Sequence, residues 1–259
     1  MNIKAITYYL SFFCFPIGLL AFINILYSSY FDYFLSFDSY VVTLSLSFFA
    51  GLSFFIIGKN SDKKLNFFDQ ILLIILIYFF TSILVSIPYY LSNYQIPLLN
   101  SLFEAFSGVT STGFSIFGNI KYLDPTLILW RSSSQWIGGF YFLIFIIVLF
   151  SNKQFNYKFN YLTYSGDGIT YNISNIKENV IKIFLVYSAL TILILIFLNI
   201  SEIRLFNALN LSMTLISTGG FLPTNSLNQI IRTNAQEFVL ILSFLISMFN
   251  IFLFFNLFN

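Results

Sequence analysis

SGVTSTGFSIF, residues 107 to 117, is a hydroxyl-rich run with two glycines set between long apolar segments. A related run, LISTGGF, follows at residues 215 to 221. The chain around them is 58% hydrophobic and only 8% charged over 259 residues, with a mean hydropathy of +0.85, the balance of an integral membrane protein. A bilayer-spanning helix needs about 20 largely apolar residues, because its backbone groups must be satisfied internally across a core of roughly 30 Å. Uncharged runs occur at 5–31, 39–58, 70–103, 132–152, 183–201 and 238–259, with 105–120 and 205–231 as two more. The first six read as transmembrane helices, and the last two hold the hydroxyl and glycine runs.

Charge distribution decides what those two runs are. Lys and Arg favour the cytoplasmic ends of spans. Lys4, Lys59, Lys63, Lys64, Lys153, Lys158, Lys177 and Lys182 form one set, and Lys121, Arg131, Arg204 and Arg232 the smaller other. With the larger set inside, the N-terminus is cytoplasmic, and an even number of spans must separate residues 59–64 from 153–182. Helices near 67–92 and 125–150 already make two, so 105–120 must enter and leave on the outer side. The same holds for 205–231, between helices near 179–200 and 236–257. As a helix, SLFEAFSGV (101–109) reaches only about half the bilayer at ~1.5 Å per residue. Irregular backbone at that depth survives only buried in protein or lining a water-filled cavity.

The expected fold is all-α and integral to the membrane: six transmembrane helices plus two re-entrant half-helices. It divides into a two-helix lead (1–66), a helix, pore loop, helix repeat (67–150), a cytoplasmic loop (151–178) and a second repeat (179–259). LFEAFSGVTSTGF and LFNALNLSMTLISTGGF fall at equivalent places. Aligning Thr112-Gly113 with Thr218-Gly219 leaves the second half-helix three residues longer, counted from Phe103 and Phe206. A leader peptide is not expected, since the first apolar segment lacks a small-x-small cleavage site and further spans follow. Cys14 is the single cysteine, so no intrachain disulfide forms.

An alkali cation stripped of water needs several oxygens, and backbone carbonyls supply them without burying fixed charge. The candidate filter is therefore Val109, Thr110, Ser111, Thr112 and Gly113 with Ile216, Ser217, Thr218, Gly219 and Gly220. Glycine permits the dihedrals that turn carbonyls inward, and the negative end of each half-helix dipole points at the loop. The alternative is that Ser, Thr and Gly mark only loops or close helix packing; two such runs at membrane depth favour a pore lining. Three side chains are candidate supports. Glu104, read as lying in the first turn of its half-helix, either attracts cations or complements the helix dipole. Arg131 either binds loop carbonyls or snorkels to the interface beside Trp130. Gln135 lies four residues on, on the same face. Gly138 and Gly139 read as a close-packing pair.

FEAFSGVTSTGFS, LWRSSSQWIGGF (129–140) and LFNALNLSMTLISTGGF together resemble the TrkH/KtrB family of bacterial potassium transporters, from about residue 67 to the end. Arg-x-x-x-Gln-Trp-x-Gly-Gly at 131–139 is the most specific part. The resemblance implies a channel-like architecture in the bacterial inner membrane, K⁺ and in some members Na⁺ as the transported ion, no cofactor, and a cytoplasmic nucleotide-binding subunit of the TrkA/KtrA type. Family members carry four repeats around one pore, and this chain ends after two. The expected partner is a missing second half, from a split or truncated gene, with a homodimer of this chain as the alternative. The single glycine of the first loop implies a looser filter than a double-glycine one, leaving K⁺ and Na⁺ unresolved. A non-transporting remnant or assembly subunit is the competing function. An intramembrane enzyme is not expected: with no His there is no Ser-His pair or His-ligated metal, and Asp167 has no intramembrane acid to pair with. A net charge of +2 gives no sign of a nucleic-acid partner.

Overall fold

The computed structural model describes residues 1–150 and 176–248, without the side chains of 150 and 176–178. The described residues form eight α-helices and no strand: α1 Ile3–Phe31, α2 Phe37–Gly58, α3 Phe67–Tyr90, α4 Leu98–Val109, α5 Pro125–Phe150, α6 Ile176–Ile200, α7 Leu205–Ile216 and α8 Asn234–Met248. Five of them, α1, α2, α3, α5 and α6, are long and apolar enough to cross a membrane. The sixth expected span is described only as α8; its remainder, and residues 151–175 of the expected cytoplasmic loop, lie outside the described residues.

Helices α1 and α2 form an antiparallel hairpin closed by small residues. Gly18 faces Ser47, Gly51 faces the Phe15 ring and Gly58 faces the Tyr8 backbone, contacts that bring the helix backbones close without help from water. Asp69, in the first turn of α3, accepts from the backbone N–H of Asn66 and of Asn2, each at 3.2 Å, and ties the starts of α1 and α3 together. Helix α5 is the hub. Its Tyr141 hydroxyl donates to the Phe13 carbonyl on α1 (2.7 Å), and its Trp130 indole N–H to the Val85 carbonyl on α3 (3.0 Å). Its Trp136 donates to the Thr191 hydroxyl on α6 (3.0 Å), whose neighbour Tyr187 donates back to the Trp136 carbonyl (2.9 Å). Large aromatic bodies thus fill the core while the polar tips of these four find partners within the protein.

The two expected re-entrant runs do turn back on themselves. Just before α4, the Tyr94 hydroxyl donates to the Tyr122 carbonyl (3.1 Å) and accepts from the Asp124 amide (2.7 Å), so the chain leaving for α4 and the chain arriving at α5 meet at one level. In the second repeat, Gln236 at the start of α8 donates to the Ser201 carbonyl just before α7 (3.0 Å). The far end of α4 sits midway along α5, where the Val109 carbonyl fills the space a side chain on Gly138 would need. Ser217, just past α7, packs likewise against Gly139.

Three sequence expectations change. The first half-helix starts at Leu98 rather than 101, directly after Pro97, whose fixed φ suits a helix entrance. Glu104 therefore lies well inside α4, beyond its first turn, and the dipole role does not apply. The second half-helix is not longer, since α4 and α7 both have 12 residues. The repeats align without a gap at a constant offset, with Val109 on Ile216, Gly113 on Gly220 and Phe114 on Phe221.

Candidate functional site

The two loops begin with the same helix stop. After α4 the Ser111 N–H bonds the Gly108 carbonyl (2.9 Å) and the Thr112 N–H bonds the Ser107 carbonyl (2.9 Å). After α7 the Thr218 N–H bonds the Leu215 carbonyl (3.0 Å) and the Gly219 N–H bonds the Thr214 carbonyl (2.8 Å). Each is a Schellman closure, which requires a left-handed residue just past the cap. That residue is Ser111 (φ 52°) in the first loop and Thr218 (φ 53°) in the second, not the glycine usual at such a stop. A β-branched residue at positive φ is strained, and such strain persists only where the surroundings enforce it. Two residues on, Gly113 (φ 84°) and Gly220 (φ 85°) repeat the match.

All ten candidate filter residues thus fall on two backbone segments of like conformation, each opening from a helix C-terminus at half depth. They differ in exposure. Thr110, Thr112, Thr218 and Gly220 lie on an open face, Ser111 and Gly113 are half-buried, and Val109, Ile216, Ser217 and Gly219 are buried. The Thr110 and Thr112 hydroxyls hydrogen-bond to each other across the open face (2.7 Å).

The supporting candidates come together around these loops. Glu104 and Arg131, 0% and 1% exposed, form an ion pair with Nε 2.8 Å from Oε1. The same carboxylate accepts from the Ser115 hydroxyl (3.0 Å) and the Ile116 N–H (2.8 Å), gripping the chain just beyond the first loop. The guanidinium donates to the Ser115 hydroxyl (3.0 Å) and across to the Leu222 carbonyl beyond the second loop (3.3 Å), and lies over the Phe221 ring at 4.3 Å. Arg131 donates to one carbonyl, that of Leu222 just past the second loop, and is buried together with Trp130. Gln135 holds the second loop with both ends of its amide, donating to the Gly219 carbonyl (2.7 Å) and accepting from the Phe221 N–H (3.0 Å).

A further tie escaped sequence reasoning. The Asn225 side chain accepts from the Ile120 N–H (2.6 Å) and donates to the Asn119 side chain (2.7 Å), joining the outer ends of the loops. Its signal was slight: Asn119 in one outer loop and Asn225 in the other, in an asparagine-rich chain. The resulting site is a pair of interlocked loops with balanced charge, able to offer carbonyl and hydroxyl oxygens on one face.

Fold and site together define a multi-pass helical membrane protein with paired re-entrant loops. The model of the TrkH family, described as cation transport protein, matches residues 45–259, and the chain belongs to that family. An uncharacterized cation transporter of Methanocaldococcus jannaschii is 30% identical over 179 residues, 69% of this chain and 37% of the relative. The Trk system potassium uptake protein TrkH of Halomonas elongata is 22% identical over 71% of this chain and 39% of its own length. The solved structure of the potassium transporter TrkH from Vibrio parahaemolyticus superposes with a TM-score of 0.85 at 19% identity, over 98% of this chain and 52% of that one. The chain thus matches about half of that structure and under half of the curated relatives' length.

Proposed function

We propose that this chain supplies two of the loops that line a pore for potassium uptake, with Na⁺ as the competing ion. The observation that carries the reading is the conformational identity of the loops: two segments of different sequence adopt the same helix stop and the same positive-φ pattern at half depth. Carbonyls set this way replace an ion's hydration shell without burying charge, and the C-terminal dipoles of α4 and α7 favour a cation over an anion. Two loops surround only half an ion. The open face bearing Thr110, Thr112, Thr218 and Gly220 is where further loops would close the ring, supplied by a second half or by a second copy of this chain. The distribution of Lys and Arg favours a cytoplasmic N-terminus, and the family likeness favours the bacterial inner membrane.

Growth of a potassium-uptake-deficient bacterial host on limiting potassium tests this reading. The chain is expressed alone and with the reading frame that supplies two further helix, loop, helix units. Rescue by the pair supports a split pore, and rescue by the chain alone supports self-assembly. Failure of both, with the protein present in the membrane, leaves the competing reading of a non-transporting subunit.

A further inference from the structure

The second loop has Gly219 where the first has Thr112, and the structure accounts for the difference. A side chain at 219 would run into the Gln135 amide, whose oxygen is 2.5 Å from the place its Cβ would take. Gly220 is needed for its φ of 85°, as Gly113 is for its own; Gly219 makes room for Gln135. Both Gln135 and Gly219 are buried. The Gly219 carbonyl accepts from the Gln135 amide at 2.7 Å, and it packs so close to Gly113 that a Cβ there would clash with its oxygen. A carbonyl has two lone-pair directions, and here one is bonded to the amide in a buried setting while Gly113 packs close against the oxygen. Among the described residues no group donates to the equivalent carbonyl, that of Thr112.

Resting on the potassium-pore reading, we infer that Gln135 is a positioning residue that sets ion preference by withholding the Gly219 carbonyl from the ion path. The two loops then present unequal oxygen sets at this level, and the double glycine of the second loop follows from contact with a neighbouring helix rather than from tighter ion coordination. The carboxamide does this because it donates to the carbonyl of 219 and accepts from the N–H of 221 at once. Without it the peptide is free to rotate toward the ion, and a more flexible set of oxygens also fits the smaller Na⁺.

The test is ⁸⁶Rb⁺ uptake under Na⁺ competition in potassium-uptake-deficient cells, comparing the native chain and its completing half with Gln135→Met and Gln135→Asn. Met matches the length without the amide, and Asn keeps the amide one methylene too short to span both partners. The ratio of Rb⁺ to Na⁺ preference is measured within one culture, so it does not depend on how much protein reaches the membrane. We expect it to fall about tenfold in both variants, the worth of one buried hydrogen bond. Native preference in a variant that still transports overturns the inference and leaves the pore reading intact. Complete loss of uptake in both variants, with protein in the membrane, overturns it in favour of a purely structural clamp. Absence of native uptake overturns both readings.

Discussion

Replacing Glu104 by leucine leaves the Arg131 guanidinium without a counter-ion at a site where it is 1% exposed. The carboxylate currently receives the Arg131 Nε at 2.8 Å, the Ser115 hydroxyl at 3.0 Å and the Ile116 N–H at 2.8 Å, so one substitution strands a buried charge and removes the acceptor of two neutral donors. Removing one partner of a buried pair costs about 3–5 kcal/mol, a large part of the ~5–15 kcal/mol by which a domain is stable. Taking away both charges is milder. Glu104→Leu combined with Arg131→Met loses the bonds to Ser115, Ile116 and Leu222, at about 1 kcal/mol each, but strands no ion. The double variant should therefore be more stable than Glu104→Leu alone, with a coupling of about 1–3 kcal/mol between the sites. Equilibrium unfolding of the purified proteins in mixed detergent micelles reads this cycle. A Glu104→Leu cost below ~1 kcal/mol, or a double variant at or below the sum of the singles, would refute the reasoning, since both need the pair to be exposed or mutually independent.

Gly138→Val should prevent accumulation of folded protein, because its side chain has to occupy the space of the Val109 carbonyl; membrane abundance and detergent gel filtration check it. Thr218→Gly should stabilise the chain by about 0.5–1 kcal/mol against thermal unfolding, since the β-branched residue sits at φ 53°, where glycine carries no steric cost. Asn225→Ala should cost about 1–2 kcal/mol and speed hydrogen exchange at the Ile120 amide, which loses its acceptor at 2.6 Å.

Much of this architecture was legible in the sequence because membranes constrain it so tightly. Apolar run lengths reveal the spans, and the side on which Lys59–Lys64 and Lys153–Lys182 fall forces 105–120 and 205–231 to turn back. Register was harder to see. The Ser-Thr-Gly triplets at 111–113 and 217–219 invite alignment with each other, yet the backbone pairs Ser111 with Thr218 and Gly113 with Gly220. What repeats is a dihedral pattern, and a Ser or Thr forced to positive φ leaves no trace in composition. Glu104 was misplaced for a related reason: helix α4 starts behind Pro97, three residues before the polar Ser101 that looked like its beginning. The pairing of Glu104 with Arg131, 27 residues apart, rests on a tertiary approach that no local period encodes.

The claim that the two loops jointly line an ion path is tested most directly by ⁸⁶Rb⁺ flux into proteoliposomes holding the purified chain, alone and with a candidate second half. Native protein is compared with Gly113→Ala and Gly220→Ala, which impose a side chain at φ 84° and 85° respectively. The account predicts native flux that K⁺ outcompetes and loss of flux in both variants, with Gly220→Ala, whose added carbon meets only Gly113 at 3.9 Å, still folded by gel filtration. Undiminished flux in both glycine variants would contradict it.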